Sequence, residues 1–174
     1  YITLLFDVSK VLPLEMCEKI VYFIYSYTFK DRNELKYAIN DYPNNINVYG
    51  NISYWNVSNI TDMSYMFSYI SLNVDISCWD VSNVTNMNNM FDKSNSIVDI
   101  SEWNVSNVKY MYGMFMKSKF NGDISGWNVS NVINMYSIFE NSKFNGDISK
   151  WNVSNVKTMK FMFSNSCFNR DISK

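Results

Sequence analysis

The chain has 174 residues, of which 47% are hydrophobic and 18% charged, so it suffices for one domain with a core and is too short for two ordinary domains. Its net charge of −1 argues against a nucleic-acid binder that depends on a strong basic field. The sequence has no histidine, which removes histidine-based nucleophile systems and the commonest metal ligand. We therefore predict no enzyme, no cofactor and no metal site.

The first 50 residues are predicted to form a helical N-terminal cap. A first helix is predicted to open at Pro13 and to end near Phe29, because apolar residues recur there at helical spacing. A second helix is predicted from Asp31 or Asn33 to Asn40. The terminal repeats of an array need a cover of this kind.

The segment 12–20 reads L-P-L-E-M-C-E-K-I and resembles the opening of an F-box, L-P-x-E-[IM]-x-x-x-I. Only that first helix matches. The resemblance implies a substrate adaptor for a host ubiquitin ligase, in which the rest of the chain chooses the substrate.

Cysteine usage and hydropathy bear on the compartment. Cys17, Cys78 and Cys167 are odd in number and unrelated in spacing, which favours free thiols in a reducing cytoplasm. The longest apolar, uncharged stretch near the start, Ile20–Phe29, has ten residues. A bilayer-spanning helix needs about 20. We predict no transmembrane segment, and the sequence shows no signal-peptide pattern.

An internal repeat of 24 residues dominates the rest of the chain. The five tryptophans are each 24 residues apart, and we number each repeat from its tryptophan as position 1: Trp55, Trp79, Trp103, Trp127 and Trp151. The predicted second unit, residues 51–174, therefore contains five repeats, at 55–78, 79–102, 103–126, 127–150 and 151–174.

Each repeat is predicted to contain a strand, a turn and a short helix. In the third repeat, the spacing I-x-x-W-x-V over 100–105 is that of a leucine-rich-repeat strand. The apolar spacing from Val108 to Phe115 fits one face of a helix of about two turns. The predicted fold class is thus an α/β repeat solenoid, leucine-rich-repeat-like, with an α-helical N-terminal cap. Neighbouring repeats must stack, since one repeat cannot bury enough surface alone.

Three columns of invariant residues follow from stacking. The tryptophans are expected in the core. An asparagine column is expected to bond the backbone of adjacent turns, with ligand contact as the alternative: Asn59, Asn83, Asn107, Asn131 and Asn155. An aspartate column is expected to cap local turns, with a calcium ladder as the alternative: Asp75, Asp99, Asp123, Asp147 and Asp171.

The repeat motif W-N-V-S-N-V-x-x-M-x-x-M-F, followed by F-N-G-D-I-S, resembles the BspA-like leucine-rich-repeat surface-protein family. The resemblance covers the 120 residues of the five repeats. That family occurs in mycoplasma and other bacterial surface lipoproteins and in large DNA viruses. The resemblance implies recognition or adhesion, a virion or cell-surface location, and no catalytic residues.

The predicted function is a non-enzymatic protein-interaction or adhesion module, with a protein partner and no nucleic acid. One alternative is a structural component of a large-virus particle or a cell surface. The other is the F-box-like adaptor. We further expect the C-terminal edge of the array to be covered by more chain, by a second copy or by another protein, because an open edge invites pairing.

Overall fold

The structure, a computed structural model, describes residues 26–173. The F-box-like segment, Cys17 and most of the first predicted helix lie outside the described residues. The end of that helix is described and is not helical. Thr28 forms a parallel bridge with Asn56, because segment 27–29 runs beside the first repeat and exchanges backbone hydrogen bonds with it.

Helix α1, Arg32–Asp41, corresponds to the second predicted helix. The Asp31 side chain caps it by accepting from the backbone N–H groups of Asn33 and Glu34, at 2.9 and 3.0 Å. Two short elements follow: α2, Ile46–Tyr49, and a 3₁₀ turn, Ile52–Tyr54. The inner face of α1 buries Leu35, Ala38 and Ile39.

The predicted α/β solenoid with repeated strands is wrong. Across residues 26–173 there is no sheet, and the β-bridges between neighbouring repeats are isolated parallel ones at position 8: Asp62–Asn86, Asn86–Tyr110, Tyr110–Asn134 and Asn134–Thr158. Where the strand was predicted, the chain makes tight turns. The N–H of Trp103 donates to the carbonyl of Ile100 at 3.2 Å, and the N–H of Val108 donates to the carbonyl of Val105 at 3.0 Å.

The short helix predicted in each repeat is absent for a related reason. Positions 11 and 15 have positive φ in all five repeats, as at Gly113 (57°) and Lys117 (56°). A left-handed residue interrupts the i→i−4 ladder on which an α-helix depends. The same 3–4 residue apolar spacing is instead produced by successive i→i−3 turns, such as Met114 N–H to Met111 carbonyl at 3.3 Å.

Along positions 9–15, which include the left-handed residues at positions 11 and 15, every second amide donates to the next repeat. In the third repeat the amides of positions 9, 11, 13 and 15 donate across the interface, at 2.8–3.0 Å: Met111 to Asn134, Gly113 to Tyr136, Phe115 to Ile138 and Lys117 to Glu140. The first, second and fourth repeats have equivalent bonds. This segment, positions 9–15, is the main seam that joins neighbouring repeats.

One core runs along the stack, built from equivalent side chains of successive repeats. The position 13 phenylalanines form a column with ring centroids 5.3–5.8 Å apart: Phe67, Phe91, Phe115, Phe139 and Phe163. Offset stacking of this kind is favourable at these separations. The core therefore repeats the 24-residue period and leaves the other side chains to form the surface.

Candidate interaction surface

The tryptophan column lies inside the core. The most exposed member, Trp151, is only 8% exposed. Four indole N–H groups donate to the carbonyl of an isoleucine 27 residues earlier, at 2.9–3.1 Å: Trp79, Trp103, Trp127 and Trp151. Trp55 donates to Gly50 instead, at 3.3 Å. These side chains hold repeats together and are not accessible to a ligand.

The asparagine column also bridges repeats. Each Nδ2 donates to a backbone carbonyl of the preceding segment, and the contact is typified by Asn107 to Ser82 at 2.7 Å. The same geometry recurs along the column: Asn59 to Phe29, Asn83 to Ser58, Asn131 to Ser106 and Asn155 to Ser130. The amide groups are exposed at the surface, and each commits one of its two N–H donors to the backbone of its neighbour.

The aspartate column caps the turn that leads into each tryptophan. Oδ1 of Asp99 accepts from the N–H and the hydroxyl of Ser101, at 3.0 and 2.8 Å. These two bonds hold the pKa of Asp99 below its ordinary value of 3.8, and Ser125 has the same effect on Asp123. Equivalent serine contacts hold Asp75, Asp147 and Asp171. Among residues 26–173 no group of three or more metal-ligating side chains could hold an ion.

A cavity of about 310 Å³ lies beside the last two members of that column. Its lining groups are already engaged with their own chain. Asp171 accepts from the Ser173 hydroxyl at 2.6 Å, and Nε of Arg170 donates to the Asn145 carbonyl at 2.9 Å.

An aromatic strip crosses the seams of the last three repeats. We define it as Tyr112, Tyr136 and Phe161. The centroids of Tyr112 and Tyr136 are 5.4 Å apart, and those of Tyr136 and Phe161 are 5.5 Å apart. Phe161 is 57% exposed, and the two tyrosines are half-buried. A row of aromatic rings at the surface is typical of a protein-interaction site.

The strip occupies positions at which the repeats differ from one another. Position 10 holds Ser64, Asn88, Tyr112, Tyr136 and Lys160, whereas positions 3, 9 and 13, which are buried in the first four repeats, are the same in all five. Packing fixes the buried residues, because each must match its neighbours in the column. The exposed positions are free of that constraint. This contrast between invariant buried positions and variable exposed positions is the signal that locates the strip. The invariant columns alone do not reveal it.

The first repeat meets the cap through cationic side chains. Arg32 donates to the carbonyl of Ser64. Nζ of Lys36 donates to the carbonyls of Tyr65 and Met66, at 2.8 and 2.9 Å. Burial, and secondarily the charge of Arg32, lower the pKa of Lys36. Helix α1 thus covers carbonyls on the N-terminal side of the first seam.

The last seam has an amide row with no protein acceptor among residues 26–173. We define the amide row as the N–H groups of Met159, Phe161, Phe163 and Asn165. Their equivalents one repeat earlier all donate across the interface, at 2.8–3.0 Å: Met135, Ser137, Phe139 and Asn141. The row is therefore a set of four directed donors at the C-terminal edge.

Two further features are relevant to the compartment. Cys78 and Cys167 are free and exposed. No helix within the described part of the chain has the length and apolar character that a membrane crossing requires.

Comparison with known proteins identifies the family. The model of a mycoplasma protein family of unknown function, DUF285, matches residues 33–143 and 95–174. The chain belongs to this family. The match supports the predicted relationship to mycoplasma-type surface repeat proteins at that coarse level, and it gives no support to a virion or giant-virus origin. The chain matches no curated protein and no solved structure.

Proposed function

We propose that the chain is a non-enzymatic protein-interaction module of a surface repeat protein, and that it binds its partner through the aromatic strip. The observation that carries this proposal is the contrast between identical buried columns and variable exposed positions. A stack of matched repeats supplies a rigid surface, and the side chains that differ between repeats supply its specificity.

The strip has the chemistry of a binding surface. Tyr112 and Tyr136 each offer an apolar ring and a hydroxyl, and they have few rotatable bonds to immobilise on binding. Phe161 adds an exposed apolar ring at the end of the row. By contrast, each aspartate of its column accepts from a serine two residues later, and each asparagine of its column donates to the backbone of the preceding segment. Adhesion through the strip accords with the family relationship.

Site-specific photocross-linking in the native cells tests the proposal. A benzophenone side chain is placed at Tyr136 and, as a matched control, at Glu102, which is exposed on the turn before Trp103. We expect a discrete adduct with one other protein from position 136 and none from position 102. Tyr112→Ser should reduce the yield of that adduct, because interface tyrosines are frequent hot spots.

Other results would contradict this function. Equal cross-linking from both positions, or none from position 136, would show that the strip is not a binding surface. Adducts between copies of the chain in a regular lattice would favour the structural-component alternative. An adduct with a ubiquitin-ligase scaffold would favour the F-box-like adaptor.

A further inference from the structure

Positions 7–17 of successive repeats form one continuous face of the stack, which we call the strip face. Backbone hydrogen bonds join consecutive repeats at both of its borders. At position 7 the N–H of Lys109 donates to the carbonyl of Thr85 at 2.9 Å, and at position 17 the N–H of Lys119 donates to the carbonyl of Ser94 at 3.2 Å. Because equivalent residues stack, the columns follow one another around the stack in chain order. The aromatic strip therefore lies between these two borders.

The charge on the strip face changes along the stack. In the last three repeats the face carries six lysines and one glutamate: Lys109, Lys117, Lys119, Lys143, Lys157, Lys160 and Glu140. In the first two repeats it carries one lysine and two aspartates: Lys93, Asp62 and Asp92. The positive charge therefore occurs in the repeats that also carry the aromatic strip, although the whole chain has a net charge of −1.

The lysines of the strip face are accessible in the last three repeats, where all six side chains are exposed. Four of them belong to the third and fourth repeats, which have a neighbouring repeat on each side, so their exposure does not depend on either end of the stack: Lys109, Lys117, Lys119 and Lys143. Across residues 26–173 the one carboxylate ion pair joins Arg32 to Asp62, so these lysines have no ionic partner of their own chain. Glu140 accepts instead from the side chains of Ser137 and Asn141.

The geometry of the strip disfavours two other classes of anionic partner. A nucleic-acid base binds an aromatic side chain by stacking on its ring face. Tyr112 and Tyr136 stack on each other instead, with a centroid distance of 5.4 Å and 28° between the ring planes. A membrane-binding surface inserts protruding apolar side chains below the lipid headgroups. Both tyrosines are half-buried and end in a hydroxyl, so they offer little apolar surface to insert.

We propose that the strip face binds an acidic surface of another protein, a partner chemistry that rests on the proposed function of the aromatic strip. Tyr112 and Tyr136 form the apolar centre of the contact. Carboxylates of the partner lie opposite the flanking lysines, Lys109 on one side and Lys117 and Lys119 on the other. Protein interfaces commonly have aromatic residues at the centre and charged residues at the rim. Rim charges of this kind steer the partner and fix its orientation.

A titration with defined probes tests the proposal. The acidic probe is a short capped peptide with central phenylalanines between glutamates, and the comparison peptide has lysines in place of the glutamates. We expect the acidic peptide alone to shift the backbone amide NMR signals of residues 109–119 and 133–143. Its affinity should fall as salt rises from about 50 to about 500 mM, because salt screens exposed charges.

Charge-reversal variants separate the flanking lysines from the other positive charges of the chain. Lys117→Glu combined with Lys119→Glu should weaken binding of the acidic peptide about tenfold, because two attractive surface contacts become repulsive. Lys30→Glu combined with Lys150→Glu is the matched control. Both of those lysines are exposed but lie outside the strip face, so the affinity should stay unchanged. Thermal melting of each variant checks that the fold is retained.

Several results would overturn the proposal. These are equal binding of the lysine peptide, no binding of either peptide, or unchanged affinity in the variant of Lys117 and Lys119. Tighter binding of oligothymidylate, or of phosphatidylglycerol vesicles, than of the acidic peptide would assign the face to a nucleic acid or a membrane instead.

The outcome is separable from that of the proposed function, because the Lys117 and Lys119 variant can also carry the cross-linker at Tyr136. An adduct formed at full yield in that variant would show that the strip binds a protein but that its partner is not acidic. The present inference alone would then be wrong. If the acidic peptide binds while Tyr136 gives no adduct in the unaltered chain, the proposed function is the part that fails.

Discussion

Glycine substitutions at Lys117 and Lys119 test the left-handed backbone conformation at position 15. Both side chains are exposed, but Lys117 has φ 56° whereas Lys119 is not among the positive-φ residues. A side chain with a Cβ in the left-handed region costs about 1–2 kcal/mol, which glycine avoids. Glycine in a regular position instead costs about 0.5–1 kcal/mol relative to alanine through backbone entropy.

The free energy of unfolding is compared between the glycine and alanine variants at the same site. Both variants lose the lysine charge, so its effect on stability cancels. At position 117 we expect the glycine variant to be more stable than the alanine variant by about 1 kcal/mol, the difference between the two effects. At position 119 we expect the reverse, by about 0.5–1 kcal/mol. Urea unfolding followed by circular dichroism measures both pairs.

The sign at position 117 decides between two backbone structures. If Lys117→Ala is more stable than Lys117→Gly, the residue is right-handed and the helix predicted from apolar spacing is present after all. Equal glycine penalties at both positions would also refute a left-handed conformation at position 15.

Three other predictions concern the columns. Trp103→Ala should destabilise the chain by about 3–5 kcal/mol in urea unfolding, because it removes a ring that is only 3% exposed. Trp103→Phe should cost less. A loss below about 1 kcal/mol for the alanine variant would place the ring outside the core. Asp92, a buried residue at position 14 of the second repeat, has a pKa raised chiefly by burial, whereas the pKa of Asp99 is lowered by its hydrogen bonds to Ser101. The Asp99 contribution to stability should be lost as pH falls through its lowered folded-state pKa, and Asp92 should add stability as pH falls through its raised one. Unfolding of Asp99→Asn and Asp92→Asn across this range should show opposite changes in pH slope, and parallel slopes would contradict it. The melting temperature should be the same in millimolar calcium and in chelator, because the Asp column binds its own serines; a calcium-dependent rise would revive the ion ladder.

The sequence correctly predicted the 24-residue period and which residues face inward. It did not predict the backbone conformation of the segments that connect those residues. Tryptophan spacing alone locates the five repeats, and Asp31 marks the start of α1. The strand and helix interpretations failed because a spacing of three residues is shared by helices and by successive i→i−3 turns. Gly113 is a local signal for positive φ, but Lys117 gives none. Only the pairing of neighbouring repeats imposes that conformation.

The surface proposed to bind a partner was the least predictable part. Invariant residues drew attention to the asparagine and aspartate columns, whose polar groups serve the backbone. Tyr112 and Tyr136 are brought together only by stacking, 24 residues apart in sequence. The direction in which the amide row points depends on the backbone conformation, including the left-handed residues at positions 11 and 15. Neither composition nor periodicity reveals that conformation.

Amide hydrogen exchange, resolved by NMR, tests most directly whether neighbouring repeats are joined by the amides of positions 9, 11, 13 and 15, each of which donates to the following repeat. The account predicts slow exchange at Met135, Ser137, Phe139 and Asn141, whose N–H groups donate to the last repeat, and fast exchange at Met159, Phe161, Phe163 and Asn165. In a control chain with residues 127–150 appended after Lys174, the second set should become slow as well. Equal exchange rates for the two sets in the chain without the addition would contradict the account.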